Sequence, residues 1–259
     1  MILEPGRAGE PELTACLEEC PRLKGKDAFP FACAGCGDCC RDRRDLVLSG
    51  LDLYRLARWM RLPPRVVAEA FCRRDVGETT CLPVLVLRPS ARTGHCPFLE
   101  GDGCAVHPAR PLACALYPLG QSIDPVTART EYFPQLPLCG VAAEGRTLSD
   151  YLENAGVTQR AGTDASWAVE CTRLSDLLLA AGGREHPRFL PAVRRVERAL
   201  YYDYSTGDAF YPQFRANLEK LYGPAGAACP KSRIKTKKFP TFSRGMRKGR
   251  GLCFRQKKA

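Results

Sequence analysis

The stretch Phe31–Arg41, FACAGCGDCCR, places four cysteines within eight residues: Cys33, Cys36, Cys39 and Cys40. The run Cys33-x2-Cys36-x2-Cys39 has a metal-binding spacing, because backbone turns between such cysteines aim neighbouring thiolates at one centre. It matches the first three ligands of the bacterial ferredoxin run. The interleaved Gly35 and Gly37 permit the positive φ angles that such turns need. Cys40 follows Cys39 directly, where the ferredoxin run has a three-residue gap. Adjacent side chains diverge in extended backbone, so Cys40 is expected to serve a different metal or to enter the core.

The remainder of the chain decides how these thiols are read. It has 259 residues and fifteen cysteines. No apolar run of membrane-spanning length occurs, so no transmembrane segment is expected. The N-terminal MILEPGRAGEPELTACLEEC is mixed and acidic and lacks the basic start and apolar stretch of a signal peptide, which points to a cytoplasmic protein. In that reducing compartment, clustered cysteines bind metal or carry redox chemistry rather than form disulfides, and an odd number cannot pair completely within one chain. The net charge of +11 is confined to one end: Gly223 to Ala259 holds twelve Lys and Arg and no Asp or Glu, whereas residues 1–222 hold 27 basic and 28 acidic side chains. The body does not read as a nucleic-acid-binding surface. The tail reads as a disordered extension with the charge to contact nucleic acid or an anionic surface.

Three segments follow: an N-terminal arm (1–25), a cysteine-cluster metal-binding domain with C-terminal helices (26–222), and the basic tail (223–259). In the arm, Leu13, Cys16, Leu17 and Cys20 share one helical face, read as a small apolar stripe. SGLDLYRLARWM predicts a helix with Ser49 and Asp52 as its capping box, an apolar stripe of Leu53, Leu56, Ala57 and Met60, and a stop at Pro63–Pro64. RVVAEAFCRR predicts a second helix and LPVLVLRP a short buried strand. Pro89 to Gly145 is rich in Gly and Pro without long periodicity, and so calls for another source of order. After Thr147, four helical patterns follow: TLSDYLENAGV ending at Gly156, SWAVECTRLSDLLLAAGG stopping at Gly182, PAVRRVERALYY, and DAFYPQFRANLEKLYG with Pro212 in its first turn. The expected fold is mainly α: a single metal-ordered domain with a loop-rich cysteine half, few short strands, and a helical half from about Thr147 to Tyr222 packed around the metal centre.

A second group of thiols lies in HCPFLEGDGCAVHPARPLACALYP, where Cys96, Cys104 and Cys114 are too far apart for zinc-ribbon knuckles. His107 is read as a packing or capping residue before a ligand. The radical-SAM spacing fails at Arg43 and Leu23, and there is no H-E-x-x-H or Walker A sequence.

FACAGCGDCCR, the LSGLDLYRLARWM helix, CPFLEGDGCAVHPARPLACALYPLG and PLCG, in that order, resemble the YkgJ-like cysteine-cluster family with its C-x2-C-x2-CC signature, described as zinc- or iron-chelating. The resemblance spans about Phe31 to Gly156. It implies that Cys33, Cys36, Cys39, Cys40, Cys96, Cys104 and Cys114 belong to a metal cluster, with Cys139 a further member. Ala115 stands where the family usually has Arg. Related flagellin lysine methylases suggest an enzyme as an alternative, but no S-adenosylmethionine-binding glycine motif is present, and the sequence leaves enzymatic activity open.

Eight thiols suffice for two four-thiolate sites, or for one cubane and a second metal. Three close cysteines plus a remote fourth are a cubane pattern, so a 4Fe-4S iron–sulfur cluster is preferred and zinc is the alternative. Cys96, Cys104 or Cys114 is the expected fourth ligand of the triplet. Cys72, Cys81 and Cys171 read as buried apolar residues, Cys229 and Cys253 as tail thiols, Phe98 and Tyr117 as packing beside the cluster, and Arg41 and Arg110 as candidates to offset its negative charge. The functional expectation is a redox, electron-transfer or metal-handling protein with a protein or redox partner. A protein-modifying enzyme and a zinc-stabilised interaction module stand beside it.

Overall fold

The computed structural model describes residues 21–41, 46–135 and 139–223. The helix expected around Cys16 and Cys20, and the basic tail with Cys229 and Cys253, lie outside the described residues.

β1 (Phe31–Ala32) leads into the cysteine loop, which ends in one helical turn, α1 (Asp38–Arg41). β2 (Val47–Leu48) then precedes α2 (Gly50–Met60). The capping box is formed as the sequence predicts: Ser49 Oγ accepts the Asp52 N–H at 3.1 Å, and the Asp52 carboxylate accepts the Ser49 N–H at 3.0 Å. Leu53, Leu56 and Ala57 are fully buried along the inner stripe. The helix stops at Arg61, which takes a left-handed conformation (φ 57°), just before the prolines. Pro64 opens α3 (Pro64–Phe71) at a position where a missing N–H costs nothing.

The chain leaves α3 three residues earlier than its pattern suggests. Cys72 begins β3 (Cys72–Val76), which pairs antiparallel with β4 (Pro83–Leu87) over five residues. Those ladder bonds override a sequence that would tolerate another helical turn. β4 lies between β2 and β3, with Leu85, Val86 and Leu87 buried, and this accounts for its lack of alternation.

The Gly- and Pro-rich stretch is more ordered than its composition suggests. It holds a hairpin of β5 (Leu99–Glu100) and β6 (Gly103–Cys104), a 3-10 turn at His107–Ala109, the short α4 (Leu112–Leu116), and a second hairpin of β7 (Leu119–Ile123) and β8 (Thr130–Pro134). β9 (Val141–Ala142) returns to pair with β1. Elements of two to five residues are too short to leave a periodic signal.

The last third is helical. α5 (Leu148–Asn154) carries a second capping box, between Thr147 and Asp150. α6 (Ala161–Ala180) starts five residues before the expected Ser166 and ends at Gly182 with φ 102°. α7 (Phe189–Glu197) runs into a π-helical turn at Arg198–Tyr202, and α8 (Phe210–Tyr222) holds Pro212 in its first turn.

The fold is mainly α with small sheets. Its main core runs from Leu46 to Leu218 and joins α2, α3, β4, α6, α7 and α8. A smaller core of Phe29, Phe31, Ala115, Leu116, Leu119, Leu148, Tyr151 and Val157 lies under β1, α4 and α5. α5 packs with β1 and α4 in this smaller core, and Cys96, Cys104 and Cys114 lie against the main core that α6, α7 and α8 share. Their apolar faces bury against α2 and β4, where most of the large aliphatic side chains are. Cys72 and Cys81 are buried in that core and Cys171 is packed against it, in line with their reading as apolar residues. Burial pushes the Cys72 thiol up to about 12, so it remains protonated.

One polar group joins these parts. Asp52, 2% exposed, pairs with Arg160 at 2.7 Å and accepts the Leu112 N–H at 2.9 Å while it caps α2. Arg160 also forms a two-pronged contact with Asp164, at 2.6 and 2.8 Å. Burial by itself would lower the Arg160 guanidinium, but Asp52 and Asp164 more than reverse this and hold it raised. Removing one partner of a buried ion pair leaves the other uncompensated, which costs about 3–5 kcal/mol. Asp52→Ala is expected to lower stability to urea by that amount, well beyond the single-cap loss of about 1 kcal/mol. A loss no larger than the cap would show that the Arg160 contact contributes nothing.

Candidate metal centre

The two cysteine groups meet through the backbone. The Cys96 N–H donates to the Cys40 carbonyl at 2.8 Å, and His95 Nδ1 bonds the Arg41 carbonyl. These contacts lay α1 against the β5–β6 hairpin, and an Arg41–Asp102 ion pair ties its end. Gly37 permits the approach. Its φ is +72°, and a Cβ there would come within 2.8 Å of Leu99 Cδ1 and 2.9 Å of the Asp102 carbonyl.

The second connection is the β1–β9 ladder, with Phe31 opposite Ala142 and Ala32 opposite Val141. It brings Cys139, three residues before Ala142, to Cys36, and the two thiols hydrogen-bond. Beneath them, Phe31 packs edge-on to Tyr117 and Tyr151. The Tyr151 hydroxyl donates to the Ala115 carbonyl at 3.2 Å, which holds the end of α4 next to Cys114.

The thiols come together in pairs. Cys39 Sγ and Cys40 Sγ are 3.9 Å apart, and Cys40 also hydrogen-bonds Cys96. The expectation that Cys39 and Cys40 diverge is thereby corrected: residues 38–41 form a helical turn, not extended backbone, and the two sulfurs stay in contact. Cys96 feels the charges of Cys104 and Cys114, and Cys104 those of Cys39 and Cys33. Cys33 is exposed and the other seven are partly buried. Cys40, Cys96, Cys104 and Cys114 are thus linked to one another, Cys104 is within electrostatic reach of Cys33 and Cys39, and Cys36 and Cys139 form a separate pair. Among the described residues, no three His, Cys, Asp or Glu side chains form a ready-made metal cage, and no disulfide joins two described cysteines.

The donor set suits a soft metal. Thiolates on one tetrahedral metal stand about 3.8 Å apart, the edge set by metal–sulfur bonds of about 2.3 Å, so sulfurs already in direct contact suit such a site. Two thiolates on different irons of a cubane stand farther apart, because the inorganic core lies between them.

The thiols are tuned in opposite directions. The bond from Cys39 pulls Cys40 down, but the bond with Cys96 and burial together push it up to about 11. Cys96 is lowered, chiefly by its bond with Cys40 and against burial. Burial raises Cys104, and Arg110 counters that rise. Arg110 therefore does offset thiolate charge, as the sequence suggests. Arg41 is used in ion pairs with Asp38 and Asp102. Arg110 Nη1 donates to His107 Nε2 at 2.5 Å, so the nitrogen that could ligate already accepts a bond. Phe98 is buried and packs on Phe71 at 4.9 Å, a structural role. The sequence did not reveal that Asp52 also positions the start of α4, two residues before Cys114. Its capping-box partner Ser49 was the only signal, and that signal reports a local contact.

Residues 32–135 match the model of the CxxCxxCC family, "Putative zinc- or iron-chelating domain". The match contains seven of the eight cysteines and leaves Cys139 outside it. No curated protein and no solved structure matches the chain.

Two outcomes follow from this geometry. Gly37→Ala must strain its backbone and displace Leu99 or the Asp102 carbonyl, and should cost about 1–3 kcal/mol in thermal or urea unfolding. An unchanged midpoint would mean that α1 does not depend on the close approach. A thiol near 11, as at Cys40, is protonated throughout pH 6–8, so metal can bind it only by displacing a proton. Apparent affinity, read by competition with a chelator, should therefore rise with pH by up to about tenfold per unit for each proton displaced. A flat profile would exclude Cys40 as a ligand.

Proposed function

We propose that this zinc- or iron-chelating segment, completed by Cys139 from beyond it, holds metal in two thiolate groups and serves a metal-handling or redox role. One group is Cys40, Cys96, Cys104 and Cys114; the other is Cys33, Cys36 and Cys39 with Cys139. The partition rests on the Cys40–Cys96 and Cys36–Cys139 contacts and on the mutual electrostatic reach of Cys96, Cys104 and Cys114. Bound metal would supply the charge that gathers these thiolates, and the loop-rich half would gain order from it. This makes residues 26–222 a single metal-ordered domain, a reading supported by a main core that runs from Leu46 to Leu218.

The observation that carries the choice of centre is the direct contact of Cys40 with Cys96 inside one group and of Cys36 with Cys139 inside the other, which favours a mononuclear tetrathiolate of zinc or iron over a cubane that would hold its thiolates apart. A 4Fe-4S cluster is the second reading, favoured by the x2, x2 spacing of the triplet with a remote fourth thiol. In that case the role is electron transfer or redox sensing with a protein partner. The basic residues of 223–259 would add a salt-sensitive contact with nucleic acid or an anionic surface.

Anaerobic purification followed by zinc, iron and sulfide analysis of one sample separates the readings. Stoichiometric zinc, or iron without sulfide, is expected for the tetrathiolate. Iron and sulfide in comparable amounts, with broad visible absorption, would replace it with the cluster. Cys40→Ser should lower metal content and Cys72→Ser should leave it unchanged, since Cys72 is buried in the main core. Equal metal loss in both variants would indicate general unfolding and remove the support for the assigned ligands.

A further inference from the structure

The thiols are not equally held. In the proposed assignment, Cys40, Cys96, Cys104 and Cys114 form an inner group, and Cys33, Cys36, Cys39 and Cys139 an outer one. The groups adjoin, with the Cys39 and Cys40 sulfurs 3.9 Å apart. They differ in access and in support.

Exposure separates them first. Cys33, Ala34 and Gly35 are consecutive exposed residues, and Cys33 is the one exposed thiol of the two groups. In the inner group, Cys96, Cys104 and Cys114 pack against the main core. The cysteine loop shows the same contrast within itself. A Cβ at Gly35 (φ +69°) would meet nothing within 4 Å, whereas one at Gly37 would run into Leu99 and the Asp102 carbonyl. The half of the loop that carries Cys33 therefore faces open space. The half that carries Cys40 is seated on the β5–β6 hairpin and tied there by the bond from the Cys96 N–H to the Cys40 carbonyl. The strand that brings in Cys139 is also weakly supported. Both residues of β9 are exposed, and its ladder with β1 has only two residue pairs. Segments with few buried apolar contacts and exposed backbone pairing open locally at low free-energy cost. A thiolate can leave its metal only where its side chain can swing away and a competing donor can enter.

Resting on the two-group assignment of the thiols, we propose that the outer group is an exchange site, from which zinc or ferrous ion passes to an incoming thiol through Cys33, while the inner group retains its metal. The incoming thiol gives up its proton and forms one metal–sulfur bond as the bond to Cys33 Sγ breaks, and Cys33 takes up one proton. Metal–sulfur bonds and protons are conserved and no electron moves, so the step needs neither oxidant nor reductant. A thiol is the fitting acceptor, because a metal selected by soft donors is withdrawn most readily by another soft donor.

The test uses the full chain loaded with zinc and mixed with excess of the chromophoric chelator pyridylazoresorcinol, with and without glutathione as the incoming thiol. Two equivalents should bind and leave in two phases of one equivalent each, and glutathione should speed the fast phase and not the slow one. Iodoacetamide added as the fast phase ends should alkylate Cys33, Cys36, Cys39 and Cys139 and spare the inner four, read by peptide mass mapping. Cys33→Ser should weaken the more loosely held zinc at least about tenfold in competition with the chelator, since even partners outside the ligand shell are worth about 10–100-fold in affinity. It should leave the other zinc unchanged. The alkylation map is read on the unaltered protein, so it decides the matter even if Cys33→Ser does not fold. One release rate for both equivalents, a fast phase indifferent to glutathione, or early alkylation of the inner thiols overturns the exchange site, while two bound equivalents leave the two-group assignment standing. Fewer than two equivalents, or iron with sulfide in the purified protein, removes that assignment and the exchange site with it.

Discussion

A single carboxylate, that of Asp52, is shared by three parts of the chain that are distant in sequence. It closes the capping box of α2, accepts the first N–H of the α4 segment, and neutralises Arg160 at the mouth of α6. Two of these contacts are made at a site with almost no solvent, where a charge persists only if its partners are held in position. The late helices are thereby placed relative to α4, and α4 carries Cys114. The register of the helical half and the position of one thiol are consequences of the same buried charge.

The thiol region is organised differently. Its elements are two to five residues long and bury little apolar surface of their own. Their positions come from backbone pairing, from the small aromatic core around Phe31 and Tyr151, and from the contact between Cys40 and Cys96. Such a region has little hydrophobic stabilisation to oppose the clustering of thiolates. On the proposed reading a metal would supply the missing attraction, and binding and local ordering would be one process. The contact between Cys40 and Cys96 shifts the two thiols in opposite directions, raised at Cys40 and lowered at Cys96.

The Asp52–Arg160–Asp164 group also joins two parts of the fold. One side touches the residues leading to Cys114, and the other lines a cavity at the start of α6. Changes at either place act on the same guanidinium and carboxylates.

The sequence by itself determined the local features: the capping box at Ser49 and Asp52, the breaks at Pro63–Pro64 and Gly182, the buried strand at Pro83–Leu87, the apolar reading of Cys72 and Cys81, and the gathering of thiols in a zinc- or iron-chelating segment. Each depends on residues a few positions apart, where dihedral preference and hydrophobic period act directly. Only the tertiary structure decided the rest. The helix after Pro64 ended early because β4 offered Cys72 a ladder. Cys39 and Cys40 stayed in contact because their segment coiled against the β5–β6 hairpin. Cys139 reached Cys36 through a pairing more than a hundred residues long in sequence. Asp52 found Arg160 across a similar gap. The free energy of those contacts comes from exclusion of water and from hydrogen-bond partners brought together by the whole chain, and no window of neighbouring residues contains that information.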